Sequence, residues 1–348
     1  MASTITTVAS NNQSDNVTAP FVYPPALLFI RAHLWKILLS FVVIGVFGNS
    51  MILIIIYRLR TKPSPIDPFL LSMAIFDMIV NVVYMLPPSL DGGFRIILHN
   101  ADETMCKIYY YISPVAYLGS KYTLMAMSIQ RALSVVWPHR IGLLCTPRRI
   151  KSVIIGITVF SVVFISPQLY WFGLTINSGR GPPECNIRVR DKTLIQFIIN
   201  YTAVKNSLDN QIPCIVLLIT NVVLVFHLRK SDITSESSAT AQRKHQKVNS
   251  ITLTTFALTT TFVLLMLPNV TYGFYINYIP SHGISTYEWY TRAGWGAICD
   301  TIGAFNFCTN FYVYCLTGRR YRDEVLKLFG LYREQKPAKQ AILHKDAL

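Results

Sequence analysis

Cys106-Lys-Ile-Tyr-Tyr-Tyr-Ile-Ser-Pro114 opens a stretch that closes at Met127-Ser-Ile-Gln-Arg-Ala-Leu-Ser-Val-Val-Trp-Pro138. Between these ends the chain is almost wholly apolar or small. Twenty-five residues separate Cys106 from Arg131, about 37 Å of helix at roughly 1.5 Å per residue. The hydrocarbon core of a bilayer is about 30 Å thick. The stretch therefore predicts a tilted helix that crosses a membrane, with Cys106 at one face and Arg131 at the other.

Composition supports this. The 348 residues are 52% hydrophobic and 14% charged, with a mean hydropathy of +0.38; a soluble domain carries about 25% charged residues. Seven cysteines lie scattered without a CxxC pair, which argues against zinc and redox motifs. No HExxH, Walker A loop or GxSxG elbow occurs, so the chain is not expected to be an enzyme.

Outward from the central rod, apolar runs recur at membrane length. The spans are predicted at about 34–57, 67–90, 106–138, 152–174, 198–228, 249–279 and 290–316. A Ser/Thr-rich tail of residues 1–33 precedes them. It carries the sequons Asn12-Gln13-Ser14 and Asn16-Val17-Thr18, which suit glycosylation outside the cell. Lys and Arg concentrate after spans one, three, five and seven. The positive-inside rule then puts those segments in the cytoplasm and the N-terminus outside. The net charge of +15 thus faces anionic lipid and a cytoplasmic partner rather than nucleic acid. In 317–348, Tyr321, Val325, Leu328 and Phe329 share one face of a short basic helix that lies on the membrane surface. The fold expected is an all-α, seven-transmembrane helix bundle with a surface helix and a cytoplasmic tail. No repeat relates the two halves, which weighs against a transporter.

These motifs, in this order, resemble the rhodopsin-like G-protein-coupled receptors. Gly48-Asn49 lies in span one, and Leu71-Ser72-Met73-Ala74-Ile75-Phe76-Asp77 in span two is similar to LAxxD. Gln130-Arg131-Ala132 stands where the family has DRY. Pro213 marks span five, and Phe262 with Pro268 follows the spacing of FxxCWxP. Asn306 and Asn310-Phe311-Tyr312-Val313-Tyr314 occupy the place of NPxxY. The resemblance implies a disulfide between Cys106 and Cys185, and a switch made of Arg131, Gln130, Phe262, Pro268, Pro213, Asn310 and Tyr314. It also implies a heterotrimeric G protein as partner, at the plasma membrane. Gln130 replaces the acidic neighbour of Arg131, which predicts raised basal activity. Met266 replaces a Trp, Phe311 replaces a Pro, and span four has only Trp171 near its outer end.

Two ionisable residues lie deep in spans. A carboxylate there is costly and faces the interior, so Asp77 is expected to meet Ser120, Asn306, Asn310 and Asn49. By the resemblance this network holds a sodium ion; a hydrogen-bonded network without one is the alternative. Lys121, halfway along span three, needs a partner. Asp77 and Asp209 are the candidates, with Asp209 favoured; Lys205 and Asp209 also form an i, i+4 couple.

The resemblance places the ligand among Ser113, Tyr117, Lys205, Tyr272, Tyr275 and Asp300. Ala304 stands where opsins carry their retinal lysine and Ser113 where amine receptors carry an aspartate, so light and monoamines are not expected. Val135-Val136-Trp137-Pro138-His139-Arg140 and Ser207-Leu208-Asp209-Asn210-Gln211-Ile212-Pro213 look similar to invertebrate neuropeptide receptors of the FMRFamide type. An extracellular peptide is the expected ligand. A small chemosensory molecule is the alternative within the family, and a transporter or channel the alternative outside it.

Overall fold

In a computed structural model, residues 25–61, 63–175, 183–189, 191–233, 239–278 and 286–332 are described. The sequons at Asn12 and Asn16 and the chain beyond residue 332 lie outside them. The first span runs Pro25–Arg58, ahead of the apolar run at Leu34, and ends in a 3-10 turn, Leu59–Thr61. The second begins at Asp67–Ile79, passes through a π turn at Val80–Met85 and ends as Leu86–Phe94. The π turn restarts the helix so that Pro87 and Pro88 fall in a first turn, where no N–H is needed. Gly92 lies against Trp35, where a Cβ would collide with the indole. That approach seats the second span against the first.

The third span, Glu103–Val136, is the central rod. Asp102 caps it by accepting from the Met105 N–H at 2.8 Å. The fourth comprises Pro147–Ile165 and Gln168–Trp171, and the fifth Lys192–Asn206, a π turn at Ser207–Gln211, and Ile212–Ile233. The sixth is Ala239–Tyr278 with Pro268 inside it. The seventh is Thr286–Ala304 and Asn306–Thr317, broken at Phe305, and the surface helix is Arg319–Leu328.

By length and apolarity alone, five of these helices qualify as membrane spans among the described residues. The third and seventh do not, because they carry the bundle's polar interior. The distribution is that of a membrane protein. Large apolar side chains face outward, among them Val43 at 64%, Val163 at 63% and Phe226 at 70% exposure, while Asn49, Asp77, Asn81, Lys121 and Asn310 are buried. Buried hydroxyls and amides join spans, as in Ser128 with Thr220 at 2.6 Å.

The long loop after span four forms a hairpin that the sequence did not suggest. Strand β1 (Phe172–Thr175) pairs antiparallel with β2 (Glu184–Ile187), with Leu174 opposite Cys185. A disulfide joins Cys106 to Cys185, their Cα atoms 5.5 Å apart. This defines a disulfide end and an arginine end of the bundle.

Candidate functional site

At the disulfide end, the hairpin is held in several ways. Glu103 accepts from the Leu174 N–H at 3.0 Å and from Arg188 at 3.1 Å. Asn100 accepts from the Cys185 N–H at 3.0 Å. The Leu174 N–H, with Lys107 and Arg188 beside it, holds the Glu103 carboxyl below the usual glutamate range. Burial lowers the His99 imidazole in the loop ahead of it, against the pull of Asp91. His99 packs on Tyr109 at 5.1 Å, Tyr109 on Tyr84 at 6.4 Å, and Tyr84 on Tyr117 at 5.8 Å.

Asp300 lies on the seventh span. Asp300 is exposed, and among the described residues it makes no hydrogen bond or ion pair. Tyr84 sits on span two and Tyr109 and Tyr117 on span three, so the tyrosine wall runs along the seam between those spans. Ser113, one turn from both Tyr109 and Tyr117, is 3% exposed. Tyr272 spends its hydroxyl on the Arg292 carbonyl at 2.9 Å, and Tyr275 stacks on Tyr272 with the Arg292 guanidinium 5.5 Å from its ring. The expected set is thus not shown gathered in one cavity: Ser113 and Lys205 are buried on spans three and five, while Tyr272 and Tyr275 tie span six to span seven.

The expected pairing of Lys121 with the Asp209 carboxylate is corrected. That carboxylate takes Lys205 at 2.6 Å, with both side chains buried. Lys121 instead donates to the backbone carbonyl of Asp209 at 2.9 Å and to Asn210 Oδ1 at 2.8 Å. The reason is Pro213. A carbonyl in a helix accepts from the N–H four residues on, and proline has none. The π turn at Ser207–Gln211 leaves this carbonyl facing the third span, and the lysine fills the gap. The Lys121 ammonium also lies 4.0 Å from the centre of the Tyr117 ring.

Mid-bundle, Asp77 is fully buried. It accepts from Ser120 at 2.5 Å and from Asn310 at 2.6 Å, as expected. Two other expectations are corrected. Asn306 is buried but makes no hydrogen bond to Asp77, because it opens the second half of span seven beyond the break at Phe305. Asn49 donates to the Phe307 carbonyl at 3.0 Å, since the break presents that carbonyl to the first span. Asn81 joins it there at 3.3 Å while donating to the Asp77 carbonyl at 2.7 Å.

At the arginine end, Arg131 is 8% exposed and Gln130 5%. Arg131 Nε and Nη2, Gln130 Oε1 and the Tyr314 hydroxyl are buried without hydrogen-bond partners. Phe262 is fully buried in the core above them. Asp67 at the same end receives Arg320 on both oxygens, at 3.1 and 3.0 Å, and the Tyr321 hydroxyl at 3.0 Å. Tyr321 stacks on Tyr314 at 5.5 Å.

The profile of the family described as 7 transmembrane receptor (rhodopsin family) matches residues 48–314. The chain belongs to that family. The receptor is 23% identical over 294 residues to the growth hormone secretagogue receptor type 1 of Mus musculus, covering 83% of this chain and 78% of the relative. It is 26% identical over 176 residues to the thyrotropin-releasing hormone receptors of Mus musculus and Homo sapiens, covering 49% of this chain and 42% and 41% of those relatives. The family is one of multi-pass membrane receptors, not enzymes.

Sequence reasoning missed two residues of the receptor's interior, Asn81 and Asp67. Asn81 lies four residues after Asp77 and so on its helix face, a usable signal. Asp67, followed by Pro68, reads as an ordinary helix start. Its role appears only when the surface helix returns Arg320 and Tyr321 to it.

Proposed function

We propose that this receptor binds a peptide at the disulfide end, outside the cell, and activates a heterotrimeric G protein at the arginine end. One observation carries the reading: unpartnered polar groups lie at both ends of the bundle, on Ser113, Gln168 and Asp209 toward the pinned hairpin and on Arg131, Gln130 and Tyr314 at the other end. The two hormone receptors it is similar to support a peptide. Arg58, Arg60, Arg140, Arg148, Arg149 and Lys151 at the arginine end support a cytoplasmic placement for it and an extracellular N-terminus. Ligand shifts a pre-existing equilibrium toward a state in which spans six and seven open a cleft at Arg131.

Asp77 belongs to the same switch. Its side-chain partners, Ser120 and Asn310, are neutral, and Lys121 is engaged on span five. A sodium ion held by Asp77 and Ser120 would supply the missing positive charge of the resting state. Agonist affinity should then fall with sodium in the wild type and lose that dependence in Asp77→Asn.

The first test is G-protein recruitment in cells with verified surface expression, challenged with pooled amidated neuropeptides. A saturable response lost in Arg131→Ala is expected. Silence across the peptide pools with a response to small odorant-like molecules would replace the peptide reading by a chemosensory one.

A further inference from the structure

Opening a cleft at Arg131 requires span six to move, so its resting position needs a restraint. An ion pair between span six and Arg131 does not supply one. Span six, Ala239–Tyr278, contains no aspartate or glutamate, and Gln130 beside Arg131 is neutral. The bonds that cross the bundle at this level run through neutral groups on span five. Thr220 shares a hydrogen bond with Ser128 of span three at 2.6 Å. The next residue, Asn221, reaches the other way. Its Oδ1 accepts from the Thr259 hydroxyl of span six at 2.5 Å, and its amide donates to Thr260 Oγ1 at 3.4 Å. Ser128, Thr220, Asn221 and Thr259 are all buried. Ser128 precedes Arg131 by three residues, so these bonds cross about one helical turn from the arginine.

Thr259 has one proton and three acceptors in reach. Besides Asn221 Oδ1 they are carbonyls of its own helix, Thr255 at 2.9 Å and Phe256 at 3.1 Å. A threonine hydroxyl donates once, so the bond to Asn221 competes with a bond inside span six. When span six moves, the proton falls back to the Thr255 carbonyl and no buried hydroxyl is stranded. The span-six side of the contact is thus satisfied in two arrangements, as a two-state element requires. Resting on the reading that spans six and seven open a cleft at Arg131, we propose that Asn221 is a latch. In the resting receptor it holds span six to span five through the Thr259 hydroxyl, in place of a charged restraint.

The full-length receptor is read in two ways: ligand-free G-protein recruitment in cells at matched surface expression, and amide exchange of residues 251–262 in the detergent-purified protein. Thr259→Val and Asn221→Leu should each raise ligand-free recruitment roughly three- to tenfold, the worth of one buried hydrogen bond, and speed exchange in that segment. The double variant should do no more than the larger single one. Thr259→Ser keeps the hydroxyl and should match the wild type. Unchanged exchange in both single variants overturns the latch, and so do effects that add in the double variant. Faster exchange with unchanged ligand-free recruitment, in a receptor that the peptide pools still activate, overturns the latch and leaves the G-protein reading standing. Faster exchange with no recruitment under any condition keeps the latch and overturns the G-protein reading. The two variants reach one bond from opposite helices, so if one fails to reach the surface the other carries the test.

Discussion

The two ends of the bundle carry opposite kinds of unfinished hydrogen bonding. Among the described residues, the disulfide end leaves mainly acceptors open: Gln168 Oε1, Asp209 Oδ1 and His99 Nδ1, with the Ser113 hydroxyl beside them. The arginine end leaves donors open: Arg131 Nε and Nη2 and the Tyr314 hydroxyl, against one acceptor on Gln130. Between them, each polar side-chain atom of Asp77 and Asn81 has a hydrogen-bond partner. A protein folded only for stability would satisfy both ends. One that passes a signal keeps each end incomplete and the middle tightly bonded, so that a partner at one end alters the state offered at the other.

The sharpest way to break this comparison is to remove the counter-charge of buried Lys205 on span five. Asp209→Ala strands the buried Lys205 ammonium and should cost about 3–5 kcal/mol, read as thermal unfolding of the detergent-purified receptor. Combining Lys205→Met with Asp209→Leu should recover most of the loss; no recovery would mean the pair is not the stabilising element. Next, Cys185→Ser frees the hairpin and should cost about 2–4 kcal/mol, with the ligand response lost while basal signalling persists. Loss of basal signalling as well would show that the two ends do not separate.

At the opposite end, Gln130→Asp supplies the acid that Arg131 lacks. Ligand-free second-messenger output should drop about tenfold, as one charge-assisted hydrogen bond allows; equal output at equal surface level would sink the idea. Arg320→Ala removes a two-pronged bond to Asp67 and should cost about 1 kcal/mol. Its signature is faster amide exchange confined to residues 319–328. The smallest effect is electrostatic. The Glu103 carboxyl is held below its ordinary value of 4.5, so its contribution is present above pH 4.5 and lost as the pH falls through the lower folded value. The group is largely exposed, so Glu103→Gln should lower Tm by only about a degree at pH 7. That difference should vanish at low pH.

The spans were legible because apolar length and basic flanks are one-dimensional signals. The Asp77 bonds to Ser120 and Asn310 were legible for a related reason, since a buried carboxylate must find donors. The partner of Lys121 was not. Side chains announce their charge in a sequence, but a carbonyl released by Pro213 depends on the π turn before it, and no residue type encodes that turn. Asn49 and Asn306 were misplaced for the same cause, as the break at Phe305 decides which carbonyl and which face they meet. The hairpin at Phe172–Ile187 was hidden by its brevity, and the Asp67 contacts by the 253 residues that separate it from Arg320.

The carbonyl grip of Lys121 has a genetic consequence. Because the acceptor is backbone, substitutions at position 209 leave the carbonyl in place for Lys121. The vulnerable position is 213. Any residue there other than proline restores an N–H that competes for the same oxygen. Position 209 answers to the Lys205 ammonium, and the joint between spans three and five answers to position 213.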